Sequence, residues 1–139
     1  RRVGYLAPVK LLLDTHVWLW ALLEPERLTP KVRELLTASD TELWLSPISV
    51  WEALMLAERG RIQVQGSPSI WVDQLLQRFP RREAPLTSEV AFVSRVVSLH
   101  HQDPADRFLA ATAKVFGLTL VTADERLLQG GGFDVMAAN

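Results

Sequence analysis

Glu52 stands inside the apolar run Val50-Trp51-Glu52-Ala53-Leu54-Met55-Leu56-Ala57. A lone carboxylate in such surroundings is costly to bury unless it is paired, protonated or bound to a cation. No lysine or arginine stands one turn away, because Ile48 and Leu56 hold those positions. Other acids are therefore candidates to share a cation with it. Asp14 follows Val9-Lys10-Leu11-Leu12-Leu13, Asp106 opens Arg107-Phe108-Leu109-Ala110-Ala111, and Asp124 lies just beyond Leu118-Thr119-Leu120-Val121. An apolar-then-acid pattern that recurs along one chain suits a hard metal ion, which prefers oxygen ligands. Ser49 lies three residues before Glu52 and Thr122 two before Asp124. Hydroxyls so placed can orient carboxylates and waters around an ion.

Each acid also has a plainer reading. Asp14, Asp106 and Asp124 all fall near expected helix starts, where Asp is a common cap. A cap and a metal ligand are not exclusive, since both need an acid at a strand end. Glu52 cannot be a cap, and its alternative is a buried salt bridge to an arginine from elsewhere in the fold. In Asp103-Pro104-Ala105-Asp106-Arg107, Asp103 precedes proline and reads as the cap. Asp106 shares a helix face with Leu109, Ala110 and Ala113, small enough to pack closely on a sheet, and reads as the site acid. His16, His100 and His101 form no zinc-protease or nucleophile-elbow motif. They read as structural or solvated, with His16 near enough to Asp14 to touch a substrate. Trp18, Trp20, Trp44, Trp51 and Trp71 sit at apolar positions and read mostly as core or dimer contacts. Arg59 with Arg61, and Arg78 with Arg81 and Arg82, read as solvated clusters, with phosphate contact as the lesser reading.

The elements that must carry these residues alternate. Short apolar strands are expected at Leu11–Leu13, Glu42–Leu45, Arg82–Leu86, Leu118–Thr122 and Phe133–Met136. Helices are expected at Thr15–Leu23 and at Thr29–Ala38, the second with Thr29 as N-cap and Pro30 in the first turn. Ser46-Pro47 opens another that runs through Glu52 to Gly60. Further helices are expected from Ser69 to Phe79, from Thr87 to before His100, from Pro104 to Phe116, and at Asp124–Leu128. Such alternation predicts an α/β fold: a three-layer α/β/α sandwich around a mostly parallel sheet of about five strands. Ligands in such sheets bind beyond the carboxyl ends of the strands, where Asp14 and Asp124 fall.

With 139 residues the chain is expected to form one domain over residues 9–139. Residues 1–8 are set apart as an N-terminal extension, disordered or foreign to the native chain. The net charge of −1 leaves any polyanion site to be local or built on metal. The absence of cysteine removes disulfides, thiolate nucleophiles and zinc–thiolate sites, and fits a reducing cytoplasm. Apolar stretches such as Val17–Leu23 are too short to span a bilayer, so no membrane partner is expected.

Four segments together resemble the PIN-domain family. They are Leu11-Leu12-Leu13-Asp14-Thr15-His16, Ser46-Pro47-Ile48-Ser49-Val50-Trp51-Glu52, Asp103-Pro104-Ala105-Asp106-Arg107-Phe108-Leu109-Ala110-Ala111-Thr112-Ala113 and Leu118-Thr119-Leu120-Val121-Thr122-Ala123-Asp124. Each is weak alone; the ordered set is specific, spans nearly the whole chain from Val9, and is most similar to the VapC-type toxins of type II toxin–antitoxin pairs. The resemblance implies an endoribonuclease dependent on Mg²⁺ or Mn²⁺, usually a homodimer, held inactive by a cognate antitoxin. It implies an acidic quartet of Asp14, Glu52, Asp106 and Asp124, with Thr122 as the hydroxyl residue of the last segment. Asp14 and Asp106 would be direct or near-direct metal ligands. Glu52 and Asp124 would complete the site, through water or at a second ion. Arg107 is a candidate phosphate contact, with a salt bridge as its alternative. The chain departs from many relatives at Leu56, where they carry a basic residue, and at Ala123, where they carry Arg. The rival readings are an aspartyl-nucleophile phosphatase, disfavoured by His16 where an Asp is needed, a non-catalytic interaction module on the same fold, and a nuclease acting on DNA or structured nucleic acid.

Overall fold

The computed structural model describes residues 8–139, so the expected extension at residues 1–8 lies outside the described residues except for Pro8. Five strands form one sheet: β1 (Val9–Leu13), β2 (Thr41–Leu45), β3 (Arg82–Glu83), β4 (Thr119–Thr122) and β5 (Asp134–Ala137). Their order is β3-β2-β1-β4-β5, and every pairing is parallel. Seven α-helices connect and cover the strands: α1 (Thr15–Leu23), α2 (Pro30–Thr37), α3 (Pro47–Glu58), α4 (Pro68–Gln77), α5 (Ser88–Ser94), α6 (Pro104–Phe116) and α7 (Glu125–Leu128). A short 3-10 turn at Pro25–Arg27 follows α1 and was not foreseen from the sequence.

The period-two alternation of the strands sorts the core into two layers. Leu11 and Leu13 of β1, Leu45 of β2 and Val121 of β4 face one side, against Trp18 of α1, Val32 of α2, Ala53 of α3 and Leu75 of α4. Leu12 and Leu120 face the other, against Val90 of α5, Leu109 and Ala110 of α6 and Leu127 of α7. The three expected layers are thereby formed, and β1 is buried on both faces because it has strands on both sides and helices above and below.

The helix starts follow the sequence signals closely. Thr29, Ser46, Ser67 and Thr87 each accept a backbone N–H of the following helix, and Pro30, Pro47 and Pro68 fill the first position where no N–H is needed. Gly117 ends α6 at φ 66°, the left-handed conformation a helix terminus favours and glycine adopts without strain. Two expectations were too long. The third strand keeps only Arg82–Glu83, and α5 stops at Ser94 rather than near His100. Chain after Ser94 instead wraps over α6, for reasons that Arg107 supplies.

Strand order reverses at β1, with β2 on one side and β4 on the other. The helices after β1 and β4 diverge there and leave a crevice at the strands' carboxyl ends, the usual ligand position in open parallel sheets.

Candidate active site

Asp14 ends β1 and caps α1. Its Oδ1 accepts the Thr15 backbone N–H at 2.7 Å, and its Oδ2 accepts the Thr122 hydroxyl at 2.6 Å. Its own N–H donates to the Val121 carbonyl at 3.0 Å, so the β1–β4 pairing sets Asp14 beside Thr122. Thr122 Oγ1 also accepts the Asp124 N–H at 3.0 Å, linking two acids through one buried hydroxyl. Burial pushes the Asp14 carboxyl up, against the hydrogen bonds from Thr122 and Thr15, and the nearby Asp124 adds to the rise.

Glu52 lies in the second turn of α3, half-buried, and its Oε1 accepts the Thr15 hydroxyl at 2.6 Å. None of the ion pairs among the described residues includes it, so the salt-bridge alternative is not the arrangement seen. Burial raises its pKa first; the Thr15 bond opposes this, and repulsion from Asp14, Asp106 and Asp103 adds to it.

Asp106 occupies the first turn of α6 and is 7% exposed. Its Oδ2 meets His101 Nε2 at 2.8 Å and the Arg126 guanidinium at 3.5 Å. Burial raises this carboxyl as well, opposed by the His101 bond. Asp103 takes the capping role that its proline implied: Oδ1 accepts the N–H groups of Ala105 at 3.0 Å and Asp106 at 3.3 Å. Asp124 caps α7 through the Arg126 N–H at 2.8 Å and pairs with the Arg126 guanidinium at 3.0 Å. That hydrogen bond from Arg126 holds the Asp124 carboxyl below its usual range.

All four expected acids line one cleft of about 520 Å³, together with Asp103, His16 and Arg126. Oxygen donors without thiolates, three of them with carboxyls raised by burial, match the chemistry of a hard divalent cation, which would favour their ionised forms. Among the described residues, no three acids or histidines converge closely enough to chelate an ion in the arrangement seen. Thr15, Thr122, His101 and Arg126 each hold a carboxylate oxygen of these acids. The Arg126 guanidinium, between Asp106 and Asp124, supplies positive charge where a cation would.

Two expected contributors sit elsewhere. Arg107 is 6% exposed and does not reach the cleft. Its Nε donates to the Ser94 carbonyl at 2.8 Å, Nη1 to His101 at 3.1 Å and Nη2 to Val97 at 3.1 Å. It is neither a phosphate contact nor a salt bridge but a clamp on the chain after α5, whose carbonyls need a buried donor. Ser49 is fully buried in the first turn of α3 and its hydroxyl has no hydrogen-bond partner among the described residues; Thr15 is the hydroxyl that meets Glu52. Thr15, His101 and Arg126 were missed as site residues. Thr15 was legible as the hydroxyl beside Asp14, whereas His101 and Arg126 reach the acids only through the fold. Among the tryptophans, Trp18 is 0% exposed and cannot be a dimer contact, while Trp51 is 51% exposed. Trp51 borders an apolar groove with Met55, Leu86 and Phe108 that also touches Glu52 and Asp103.

A sequence model of the PIN domain matches residues 11–132. Ribonuclease VapC22 from Mycobacterium tuberculosis is 38% identical over 118 residues, covering 84% of this chain and 88% of that protein. Among solved structures, FitAcB from Neisseria gonorrhoeae aligns with a TM-score of 0.61 and 26% identity, over 93% of this chain and 96% of that one. VapBC2 from Rickettsia felis, bound to a DNA fragment from its promoter, aligns with a TM-score of 0.70 and 16% identity, over 94% of this chain and 100% of that one. This last likeness is one of fold.

Proposed function

The chain belongs to the PIN-domain family, and from that premise we propose that it is a metal-dependent endoribonuclease, the toxin of a type II toxin–antitoxin pair, hydrolysing RNA phosphodiester bonds. The observation that carries the reading is the gathering of Asp14, Glu52, Asp106 and Asp124 in one cleft, with three of their carboxyls raised by burial. The 38% identity to a protein named as a ribonuclease supports RNA over DNA or structured nucleic acid. A complete acid set argues against a non-catalytic module on the same fold.

Asp14 and Asp106 would hold Mg²⁺ or Mn²⁺, with Glu52 and Asp124 completing the site. When bound, such an ion supplies Lewis acidity to the phosphodiester and to attacking water. Thr122 fixes one Asp14 oxygen, and Thr15 fixes Glu52, so that the carboxylates keep their aim. A cation beside these carboxyls would favour their ionised forms against the burial that raises them.

The unit proposed to act is residues 9–139 as a single PIN-like domain, with residues 1–8 as an extension. Its proposed partners are RNA, a cognate antitoxin of the kind present in the VapBC complexes it resembles, and a second copy of itself. No helix among the described residues is long and apolar enough to cross a membrane. Placement in the cytoplasm is part of the proposal, and the cysteine-free chain fits that reducing compartment.

The test is cleavage of single-stranded RNA by antitoxin-free protein with Mg²⁺ or Mn²⁺, against Asp14→Asn. Activity should fall by about a hundredfold or more in the variant, since the ion offers several kcal/mol of transition-state stabilisation. Equal activity in both proteins, or none in wild type on any RNA with either metal, returns the chain to the interaction-module reading.

A further inference from the structure

Trp20 and Arg27 lie where two hollows meet. They line the acidic cleft with His16, and the same three residues line a neighbouring groove of about 460 Å³ that ends at Arg61. A strand of RNA with its scissile phosphate among the acids must continue past the rim. The acids themselves repel its remaining phosphates, so the continuation needs cations. Arg126 is engaged by Asp106 and Asp124. The Arg27 guanidinium carbon lies over the Trp20 ring, 4.3 Å from its centroid, a cation–π contact that fixes the position of the guanidinium at the rim. Its one ion-pair partner among the described residues, Glu24, is 3.7 Å away with both side chains about half exposed, a contact that solvent and salt weaken. Arg61 is exposed, with no ion-pair partner among the described residues.

We propose that the groove between the end of α1 and the loop after α3 holds the RNA strand flanking the scissile phosphate, Arg27 gripping one phosphate with its fork, Arg61 a second, and Trp20 holding Arg27 in place. The proposal rests on the ribonuclease reading and adds to it the side of the cleft along which substrate runs. Two arginines against one glutamate, Glu24, and a rim shared with the acid cleft through His16, Trp20 and Arg27 favour RNA over a protein segment here, although Leu19, Leu23, Leu56 and Ile62 make the rest of the wall apolar. Trp20 is a positioning residue here: it presents the guanidinium rather than touching the reacting atoms.

The experiment measures binding of a fluorescent single-stranded RNA oligonucleotide by anisotropy over a salt series, in an Asp14→Asn background that leaves the RNA intact. Arg27→Gln and Arg61→Gln should each weaken binding roughly five- to tenfold and flatten the dependence of log Kd on log salt by about 0.7, the value for one single-strand phosphate. Arg27→Lys should retain the salt slope but lose affinity, because a point charge replaces the fork. Trp20→Leu should mimic Arg27→Lys, and Trp20→Phe should restore much of the affinity. In the cleaving protein, the loss should fall more on KM than on kcat. Affinity within twofold of the parent and an unchanged slope for both arginine variants overturns the proposal while leaving the nuclease reading intact. So does a groove whose variants bind RNA normally but lose a protein partner. A wild-type protein that does not cleave RNA, with an Asp14→Asn parent that does not bind it, overturns both.

Discussion

At the scale of single residues, each acid of the site has at least one carboxylate oxygen already engaged. Asp14 uses one oxygen on the α1 cap and the other on Thr122. Asn at position 14 keeps the shape but only one acceptor oxygen, so it forgoes about one hydrogen bond, worth roughly 1 kcal/mol, while relieving repulsion among the acids. The melting temperature of Asp14→Asn should therefore stay within a few degrees of wild type even as activity collapses. Glu52→Gln should behave likewise, because the amide oxygen can still accept from Thr15. Thr122→Val separates structure from chemistry in the other direction. It leaves Asp14 Oδ2 and the Asp124 N–H without their partner in a buried position. A loss of about 2 kcal/mol is expected, read by urea unfolding, together with weaker metal affinity. A variant as stable as wild type, with unaltered metal binding, would show that Thr122 does not set the aim of Asp14.

At the scale of elements, α6 does two tasks with adjacent residues. Asp106 faces the cleft, and Arg107 turns back to hold the chain between α5 and α6. That chain carries His101, which meets Asp106 at 2.8 Å. Arg107 thus reaches the site only through the backbone it holds. Arg107→Met should leave three carbonyls without a side-chain donor and cost about 3 kcal/mol or more. Hydrogen exchange should rise chiefly between Ser94 and Asp103. If the melting temperature is unchanged and exchange there is not raised, the clamp is not what orders this segment.

At the scale of the whole molecule, the acids make stability depend on pH and metal together. Asp14, Glu52 and Asp106 carry carboxyls raised by burial. A carboxyl raised on folding binds its proton more tightly in the folded state, so its stabilisation is full below the unfolded pKa and is lost as pH rises through the folded one. Asp124, held down by Arg126, works the other way and loses its contribution as pH falls through its lowered value. Metal-free protein should accordingly melt higher in mild acid than at neutrality, until Asp124 protonates. Mg²⁺ should flatten this slope and stabilise the neutral protein, by about 2.7 kcal/mol at a hundredfold its Kd. Calorimetry with chelator and with Mg²⁺ checks both; a melting temperature that climbs toward neutrality without metal contradicts the account. The same scale holds the expected dimer. With Trp18 in the core, we place it at the concave apolar surface, the α3–α6 groove of Trp51, Met55, Leu86 and Phe108, rather than at the scattered exposed side chains Ile70, Phe92 and Val96. Sedimentation at micromolar concentration should show a dimer that Trp51→Asp weakens. A wild-type monomer at every concentration rules it out.

Much of this molecule was legible without coordinates because its signals are local. Alternating apolar strands, Ser/Thr caps before proline, and Gly117 after α6 each act within a few residues, and the elements formed where those signals stand. Glu52 was conspicuous for the same reason, a charge among apolar neighbours. Failures came where a partner lies far along the chain. Arg107 reads like a phosphate ligand because it follows Asp106, yet three carbonyls behind the helix claim its donors. Ser49 has the right spacing to Glu52, but its hydroxyl is buried, and Thr15, 37 residues from Glu52, makes the contact instead. Asp14 and Thr122 meet across 108 residues because β1 and β4 pair in parallel. The sequence determined which residues could not be ordinary. Which groups claim their hydrogen bonds was decided by the tertiary structure, because pairing across the sheet and burial against distant helices leave no periodic trace in the chain.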